Sequence, residues 1–162
     1  MTHIIIDYLS EEDRTGLAYR AVKNEIDSLN PIRCNNSDRF LQALSFLNTD
    51  NDPLIITILS HGHLRGITFG TYASLITWCE LCEKLNFIRT NNSLTLNLIA
   101  ICNSHLIIPY KISLGVNIDR IWVSTNTVIS INKGLLASKE NEFSNFVNKL
   151  DDKEKSLYAE FR

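Results

Sequence analysis

Three apolar runs constrain the fold of this chain more than any other feature. Residues 3–9 include three consecutive isoleucines, Leu54–Leu59 is apolar at five of its six positions, and residues 94–101 form the third run. A strand that is apolar on both sides must be covered on both faces, which is typical of parallel sheets flanked by helices. The runs therefore predict the buried strands of an α/β protein.

Helical patterns separate these runs. Ser10 with Asp13 three residues later resembles a capping box, and apolar residues at helical spacing follow as far as residue 29. Ser37 is a second predicted N-cap, and further helices are predicted at 75–85 and 143–150. A brief strand is expected at 31–34, a hairpin at 66–70, a loop from 103 through 115, and one or two strands at 121–131. The resulting prediction is a mostly parallel central sheet with helices on both faces.

Composition limits the size and partners of this fold. The 162 residues, 44% of them hydrophobic, suit one domain over 1–150, followed by a charged tail or helix extension at 151–162. A net charge of -2 disfavours a dedicated nucleic-acid partner. No apolar run approaches the roughly 18 residues of a membrane span, and the first residues lack the pattern of a signal peptide. We therefore expect a cytoplasmic protein with no membrane partner and reduced cysteines.

Two reactive side chains follow the second and third apolar runs. Ser60-His61-Gly62 comes after one run and Cys102 ends the other. Sites in parallel sheets form beyond the carboxyl ends of strands, and strands joined by one helix are usually neighbours. A thiolate can attack a carbonyl and an imidazole can protonate the leaving amine. We expect Cys102 as nucleophile, His61 as acid and base, and the amides of Gly62 and Cys102 as an oxyanion hole.

The order of these elements resembles the caspase-like cysteine peptidases of clan CD, including bacterial CHAT-type members. In that family an apolar strand ends in Ser-His-Gly, a short hairpin and a helix follow, and a second apolar strand ends in the nucleophilic Cys. Leu59-Ser60-His61-Gly62, the 66–70 arm and Leu98-Ile99-Ala100-Ile101-Cys102 stand in that order. The resemblance implies a caspase-like fold and a cysteine endopeptidase with a His61–Cys102 dyad and no cofactor.

The resemblance also implies a biological setting. The substrate would be a cognate protein, and the enzyme would be an effector in bacterial stress or antiphage defence, activated by a partner or a small-molecule signal. Asp7 and Arg14 follow the first strand, near where relatives place specificity residues. The chain lacks the Gln before Ala-Cys and the Arg-Gly after it that animal caspases carry, and Ala100-Ile101 replaces the acidic residue that metacaspases and gingipain-like enzymes have just before the Cys. Neither an Asp-binding nor an Arg-binding pocket is therefore implied.

Other interpretations compete with the peptidase. The same sheet could form a catalytically inactive caspase-like interaction module, with Cys102 buried, or a nucleotide-binding or TIR-like signalling domain. Cys79-x-x-Cys82 lies in a helical apolar pattern without a second pair, which favours core packing over a zinc site. His61-x-His63 has the spacing of a metal-binding pair, but no acidic residue lies nearby in the sequence, so no metal is expected.

Overall fold

The structure is a computed structural model that describes residues 1–49, 52–70, 73–125, 137 and 140–162. In chain order the strands are β1 (Thr2–Asp7), β2 (Ile32–Arg33), β3 (Asn48–Thr49), β4 (Leu54–Leu59), β5 (His61–His63), β6 (Gly66–Phe69), β7 (Ala73–Thr77), β8 (Arg89–Thr90), β9 (Leu94–Leu98), β10 (Arg120–Ser124) and β11 (Tyr158–Phe161). The helices are α1 (Glu11–Thr15), α2 (Leu17–Arg20), α3 (Lys23–Asp27), α4 (Ser37–Ser45), α5 (Trp78–Leu85), α6 (Ile108–Leu114), α7 (Phe143–Asn148) and α8 (Asp152–Lys155), and Ser104–Ile107 forms a 3-10 turn.

Six strands form the central sheet, in the spatial order β2–β1–β4–β9–β10–β11. The neighbouring strands are parallel, apart from β11, which runs antiparallel to β10. Every residue of β4 is buried, as an uninterrupted apolar strand in the middle of a parallel sheet requires. The predicted α/β class and the mostly parallel sheet are confirmed.

Helices pack on both faces of this sheet. Successive residues of a strand point to opposite faces, so Ile5 and Ile6 mark the two sides of β1. Ile6 packs in one core cluster with residues of α4 and α5, including Phe40 and Trp78. Ile5 packs with residues of α2 and α3 in a second cluster, and Phe143 of α7 covers the part of the same face near Trp122.

Two smaller sheets lie at opposite ends of the strands. β3 and β8 pair in parallel just before β4 and β9 begin. β5, β6 and β7 form an antiparallel sheet that starts immediately after β4 ends. The predicted hairpin at 66–70 is thus the middle of a three-stranded arm. His61 is the first residue of this arm, two positions after β4 ends.

Several elements differ from the sequence-based expectation. The helix predicted after Ser10 is divided into α1, α2 and α3. Gly16 takes an extended conformation (φ -65°, ψ 154°) that separates α1 from α2, and Val22, with φ -122° and ψ 8°, precedes α3. The loop predicted from 103 through 115 contains α6, with a proline in its first turn, where the missing amide costs no helical hydrogen bond. Residues 126–131 of the predicted strand segment lie outside the described residues.

The C-terminal segment is also different from its prediction. Residues 151–162 are not a tail in the structure, since Asp152–Lys155 forms α8 and Tyr158–Phe161 forms β11. Ile121 pairs with Phe161, and Ser124 pairs with Tyr158. The charged run therefore ends in an edge strand of the central sheet, so a division of the chain at residue 150 would split that sheet.

Within the part of the chain that the structure describes, no helix has the length and apolar character needed to cross a bilayer.

Candidate active site

His61 and Cys102 lie beyond the carboxyl ends of two adjacent strands. β4 and β9 pair in parallel, with Leu54 opposite Leu94 and Thr57 opposite Asn97. His61 is the first residue of β5, two residues after β4 ends, and Cys102 lies in the turn that follows β9. The parallel register brings both residues to the same edge of the sheet, as the sequence predicted.

The backbone of Gly62 lies directly against the backbone of Cys102. A Cβ atom built on Gly62 would stand 1.9 Å from the Cys102 carbonyl oxygen and 2.9 Å from its carbonyl carbon. The same atom would be 2.7 Å from Cγ2 of Ile101. Glycine is the residue that fits such a close approach, because any side chain would overlap the neighbouring main chain. This contact fixes His61, the residue before Gly62, beside the Cys102 turn.

Hydrogen bonds from the hydroxyl groups of two serines, Ser104 and Ser124, stabilise the turn that contains Cys102. Ser104 Oγ donates to the Leu98 carbonyl at 2.9 Å and accepts from the Ser124 amide at 2.8 Å. Ser124 Oγ donates to the Ile99 carbonyl at 2.6 Å. Both serines are buried, so these bonds replace contacts with water. They tie β9, the turn and β10 together while the Cys102 side chain stays partly exposed.

The turn itself contains a left-handed residue. Asn103 has φ 56° and ψ 24°, and the 3-10 turn starts directly after it. Asparagine tolerates this region better than most side chains do. The chain therefore reverses sharply after Cys102, and the thiol is presented at a bend rather than within a regular element.

The register of the hairpin constrains the Gly62 amide. His61 pairs with Thr68 and His63 pairs with Gly66, with a two-residue loop between β5 and β6. In an antiparallel ladder, hydrogen-bonded and non-hydrogen-bonded pairs alternate, and the pair that closes a two-residue loop is of the hydrogen-bonded type. The Gly62 amide is then directed away from β6. This direction is compatible with an oxyanion donor, and the role of Gly62 and Cys102 as an oxyanion hole stays a prediction.

A carboxylate that the sequence reasoning did not connect with the site lies against His61. Nε2 of His61 is 2.8 Å from Oδ1 of Asp13, and the two side chains are 32% and 20% exposed. Ser10 donates its amide and its hydroxyl to the other oxygen, Oδ2, at 2.9 and 2.8 Å. The predicted capping box at Ser10 is confirmed, because the Asp13 amide also donates to Ser10 Oγ. The carboxylate thus binds the start of α1 and the imidazole at once.

These contacts also set the charge of the carboxylate. Burial alone would raise the pKa of the Asp13 carboxyl, but hydrogen bonds from His61 and from Ser10 outweigh burial, and the pKa lies below its ordinary value of 3.8. A carboxyl that is hydrogen-bonded in its charged form loses its proton more easily. Asp13 is therefore ionised at neutral pH and presents a negative charge to the ring of His61.

Asp7 and Arg14, the predicted specificity residues, pair with each other. The Asp7 side chain is fully buried, and its carboxylate accepts hydrogen bonds from the Leu9 amide, from Arg14 Nε at 3.2 Å and from the Tyr19 hydroxyl. Arg14 Nη1 also contacts Glu11 at 3.0 Å. Asp7 shares the face of the sheet that α2 and α3 cover, which is why its side chain points inward. This geometry favours a structural role for Asp7, and a role for Arg14 in specificity stays a prediction.

Cys79, Cys82 and His63 have surroundings or partners other than His61 and Cys102. Cys82 is buried in α5, where burial raises the pKa of its thiol to about 12, and Cys79 is the more exposed residue beside Glu83. His63 Nε2 lies 3.1 Å from the Thr68 hydroxyl within the hairpin. His61 and His63 are therefore occupied by different partners. Among the described residues, no group of three His, Cys, Asp or Glu side chains converges as a metal site would require.

Two surface cavities of similar volume flank the sheet. One, of about 370 Å³, lies between α1, α2 and the end of β6, and Ser10, Asp13, Tyr19 and Gly70 are among its lining residues. The other, of about 320 Å³, lies at the amino ends of β4 and β9, the opposite end of these strands from Cys102. Of these two, the first adjoins the carboxylate that contacts His61. Cys102 is not among the residues that line either of these two cavities.

Sequence comparison adds no family to this geometry: no protein-family model matches the chain, and no curated protein matches it.

Proposed function

We propose that this protein is a cysteine-type endopeptidase in which Cys102 is the nucleophile and His61 the general acid and base. The observation that carries the proposal is the contact of Gly62 with the main chain of Cys102. It joins the residue after the imidazole to the residue that bears the thiol. A side chain at residue 62 would overlap the Cys102 carbonyl, so glycine is what allows the two segments to lie this close.

The reaction follows from the chemistry of the two side chains. The Cys102 thiolate attacks the peptide carbonyl carbon, and the carbonyl oxygen becomes an oxyanion that the amides of Gly62 and Cys102 stabilise. Collapse of this intermediate breaks the C–N bond while His61 gives a proton to the leaving amine, which leaves a thioester on Cys102. His61 then takes a proton from water, and the hydroxide displaces the Cys102 thiolate from the thioester, which releases the carboxylic acid and leaves His61 protonated for the next cycle.

The order of elements supports the more specific proposal of a caspase-like peptidase. An apolar strand, β4, is followed by Ser-His-Gly, an antiparallel arm, a helix, α5, and a second apolar strand that leads to Cys102. This is the order on which the family resemblance rests. Activation by a partner or ligand, a cognate protein substrate and a role in bacterial defence stay predictions from that resemblance.

The test measures the reactivity of Cys102 by site-resolved alkylation. Iodoacetamide is applied to the intact chain between pH 5 and 9, and the modified peptides are quantified by mass spectrometry. In the wild type we expect Cys102 to react at neutral pH faster than Cys79, the other partly exposed thiol. His61→Ala should slow Cys102 by about 10²-fold near neutral pH, since the imidazole no longer stabilises the thiolate.

Two matched variants make this test specific. His63→Ala removes the other histidine of the same hairpin and should leave the Cys102 rate unchanged, and Cys102→Ala should remove the labelled peptide. A peptidyl acyloxymethyl ketone, which requires an active thiol, should label the wild type and neither Cys102→Ala nor His61→Ala. Equal rates at Cys102 and Cys79, both insensitive to His61→Ala, would refute the peptidase and favour the inactive interaction module.

A further inference from the structure

We infer that Asp13 is a positioning residue for His61, so that the site works as a linear arrangement of Cys102, His61 and Asp13 rather than as a dyad. This inference rests on the proposed peptidase function. It is carried by the 2.8 Å contact between His61 Nε2 and Asp13 Oδ1 and by the hydrogen bonds that fix the carboxylate.

The contact decides which ring nitrogen carries the proton. A carboxylate only accepts hydrogen bonds, so the Nε2 atom of His61 must be the donor. In the neutral ring, Nδ1 then has the lone pair and is the atom left to exchange a proton with the thiol. When His61 takes up that proton, the adjacent negative charge of Asp13 stabilises the imidazolium. Asp13 thus selects one tautomer and favours the charged form that the leaving amine needs.

The carboxylate is well placed to hold the ring in one orientation. Asp13 is the third residue of α1, and its Oδ2 atom is bound by the amide and the hydroxyl of Ser10. Because β1 and β4 are adjacent, with Asp7 opposite Leu59, the start of α1 lies beside the start of β5. Each carboxylate oxygen therefore has its own partner, and neither Oδ1 nor the ring can turn without breaking a hydrogen bond.

The other charged or titratable groups near the pair include Arg14, Glu12 and His63. Arg14, the next residue in α1, directs its guanidinium to Asp7 and Glu11. Glu12 lines the same cavity as Asp13, and His63 of β5 contacts Thr68. The ring that contacts the Asp13 carboxylate is the imidazole of His61. A change at Asp13 should therefore act on His61 first.

A purely structural role for Asp13 as a helix cap is the competing explanation, and the chain contains its own control. α5 begins with a second capping box, in which the Glu80 carboxylate accepts from the Thr77 amide at 3.1 Å and the Glu80 amide donates to the Thr77 hydroxyl. Both hydrogen bonds connect Thr77 with Glu80, and neither involves a histidine. Glu80→Gln therefore alters the same capping chemistry without touching the site.

The test compares Asp13→Asn, Asp13→Glu and Glu80→Gln with the wild type in the iodoacetamide experiment. Asp13→Asn keeps the size of the side chain but removes its charge and offers an NH₂ group to the ring. We expect the Cys102 rate near neutral pH to fall about 10- to 100-fold, with the pH profile shifted toward alkaline pH. Asp13→Glu should restore part of the rate, and Glu80→Gln should match the wild type.

The tautomer itself provides a second measurement. In ¹⁵N-labelled protein above the titration range of the ring, His61 should give the shifts of an Nε2–H imidazole, assigned by the loss of its signals in His61→Ala. Asp13→Asn should move the population toward Nδ1–H. Unchanged rates and an unchanged tautomer in Asp13→Asn would overturn the inference. If His61→Ala also leaves Cys102 unaffected, the proposed peptidase fails as well, whereas a His61 effect without an Asp13 effect refutes the inference alone.

Discussion

The contact between Gly62 and Cys102 leads to a quantitative prediction for Gly62→Ala. The added Cβ atom would lie 1.9 Å from the Cys102 carbonyl oxygen, whereas ordinary contact begins at 3.4 Å, so about 1.5 Å must open between two main-chain segments. The clash is steric, because main-chain atoms cannot rotate away as a side chain does. Overpacking of a tight site costs about 1–3 kcal/mol, and we expect the upper end, about 3 kcal/mol.

Thermal unfolding and Cys102 alkylation together measure this effect. A loss of about 3 kcal/mol should lower the melting temperature by about 6–12 °C in a domain of this size. Because the turn that contains Cys102 must move away from β5, the rate of Cys102 alkylation should also fall toward the rate in His61→Ala. Gly115→Ala is the control: Gly115 has a φ of +61°, and a Cβ atom added there would meet nothing within 4 Å, so this variant should lose about 1 kcal/mol and keep the Cys102 rate. A Gly62→Ala protein as stable and as reactive as the wild type would refute the close contact.

Three further outcomes are expected. Ser104→Ala should lower the free energy of unfolding in urea by about 1–3 kcal/mol, because the buried Ser124 amide loses its partner, whereas the Leu98 carbonyl keeps the hydrogen bond from the Ile101 amide; a change below about 0.5 kcal/mol would contradict this network. Asp13 has a lowered pKa in the folded state, so its contribution to stability is present above the unfolded value of 3.8 and is lost as the pH falls through the lower folded value. Urea titrations between pH 5 and 2.5 should therefore show that the free energy of unfolding falls more steeply for the wild type than for Asp13→Asn. Parallel curves for the two proteins would contradict this contribution of Asp13. Cys82, whose pKa burial raises to about 12, should react with iodoacetamide only on unfolding, and native reaction as fast as that of Cys79 would contradict its burial.

The parts of the fold that the sequence predicted correctly are those with a local physical cause. β4 is apolar at nearly every position because both of its faces are covered, and Ser10 can cap α1 because its partner lies three residues away. By contrast, β11 has partly buried positions at the sheet edge and follows a charged run. An edge strand has one neighbour instead of two, so its sequence needs less apolar character, and composition alone does not reveal it.

In the candidate site, too, residues marked by a local sequence signal were predicted, and contacts that depend on the tertiary fold were not. His61 and Cys102 were found because each directly follows an apolar strand, whose end is visible in the sequence. The second contact of Asp13 joins residues 48 positions apart and depends on the register of β1 against β4. Its only local signal was the capping box. Asp7 was predicted as a specificity residue because relatives place such residues near this point after the first strand, but its side chain lies on the face that α2 and α3 cover.

The short pairing of β3 with β8 has a consequence for the accuracy of the site. Asn48 lies opposite Arg89 and Thr49 opposite Thr90, immediately before the two strands that lead to His61 and Cys102. A slip of β9 by one residue along β4 would displace the thiol by about 3.3 Å relative to the ring, more than the length of a hydrogen bond. The pairing of β3 with β8 connects the two segments before β4 and β9 begin. It therefore opposes a shift in the register of β9 against β4 from the end of the strands opposite to the site.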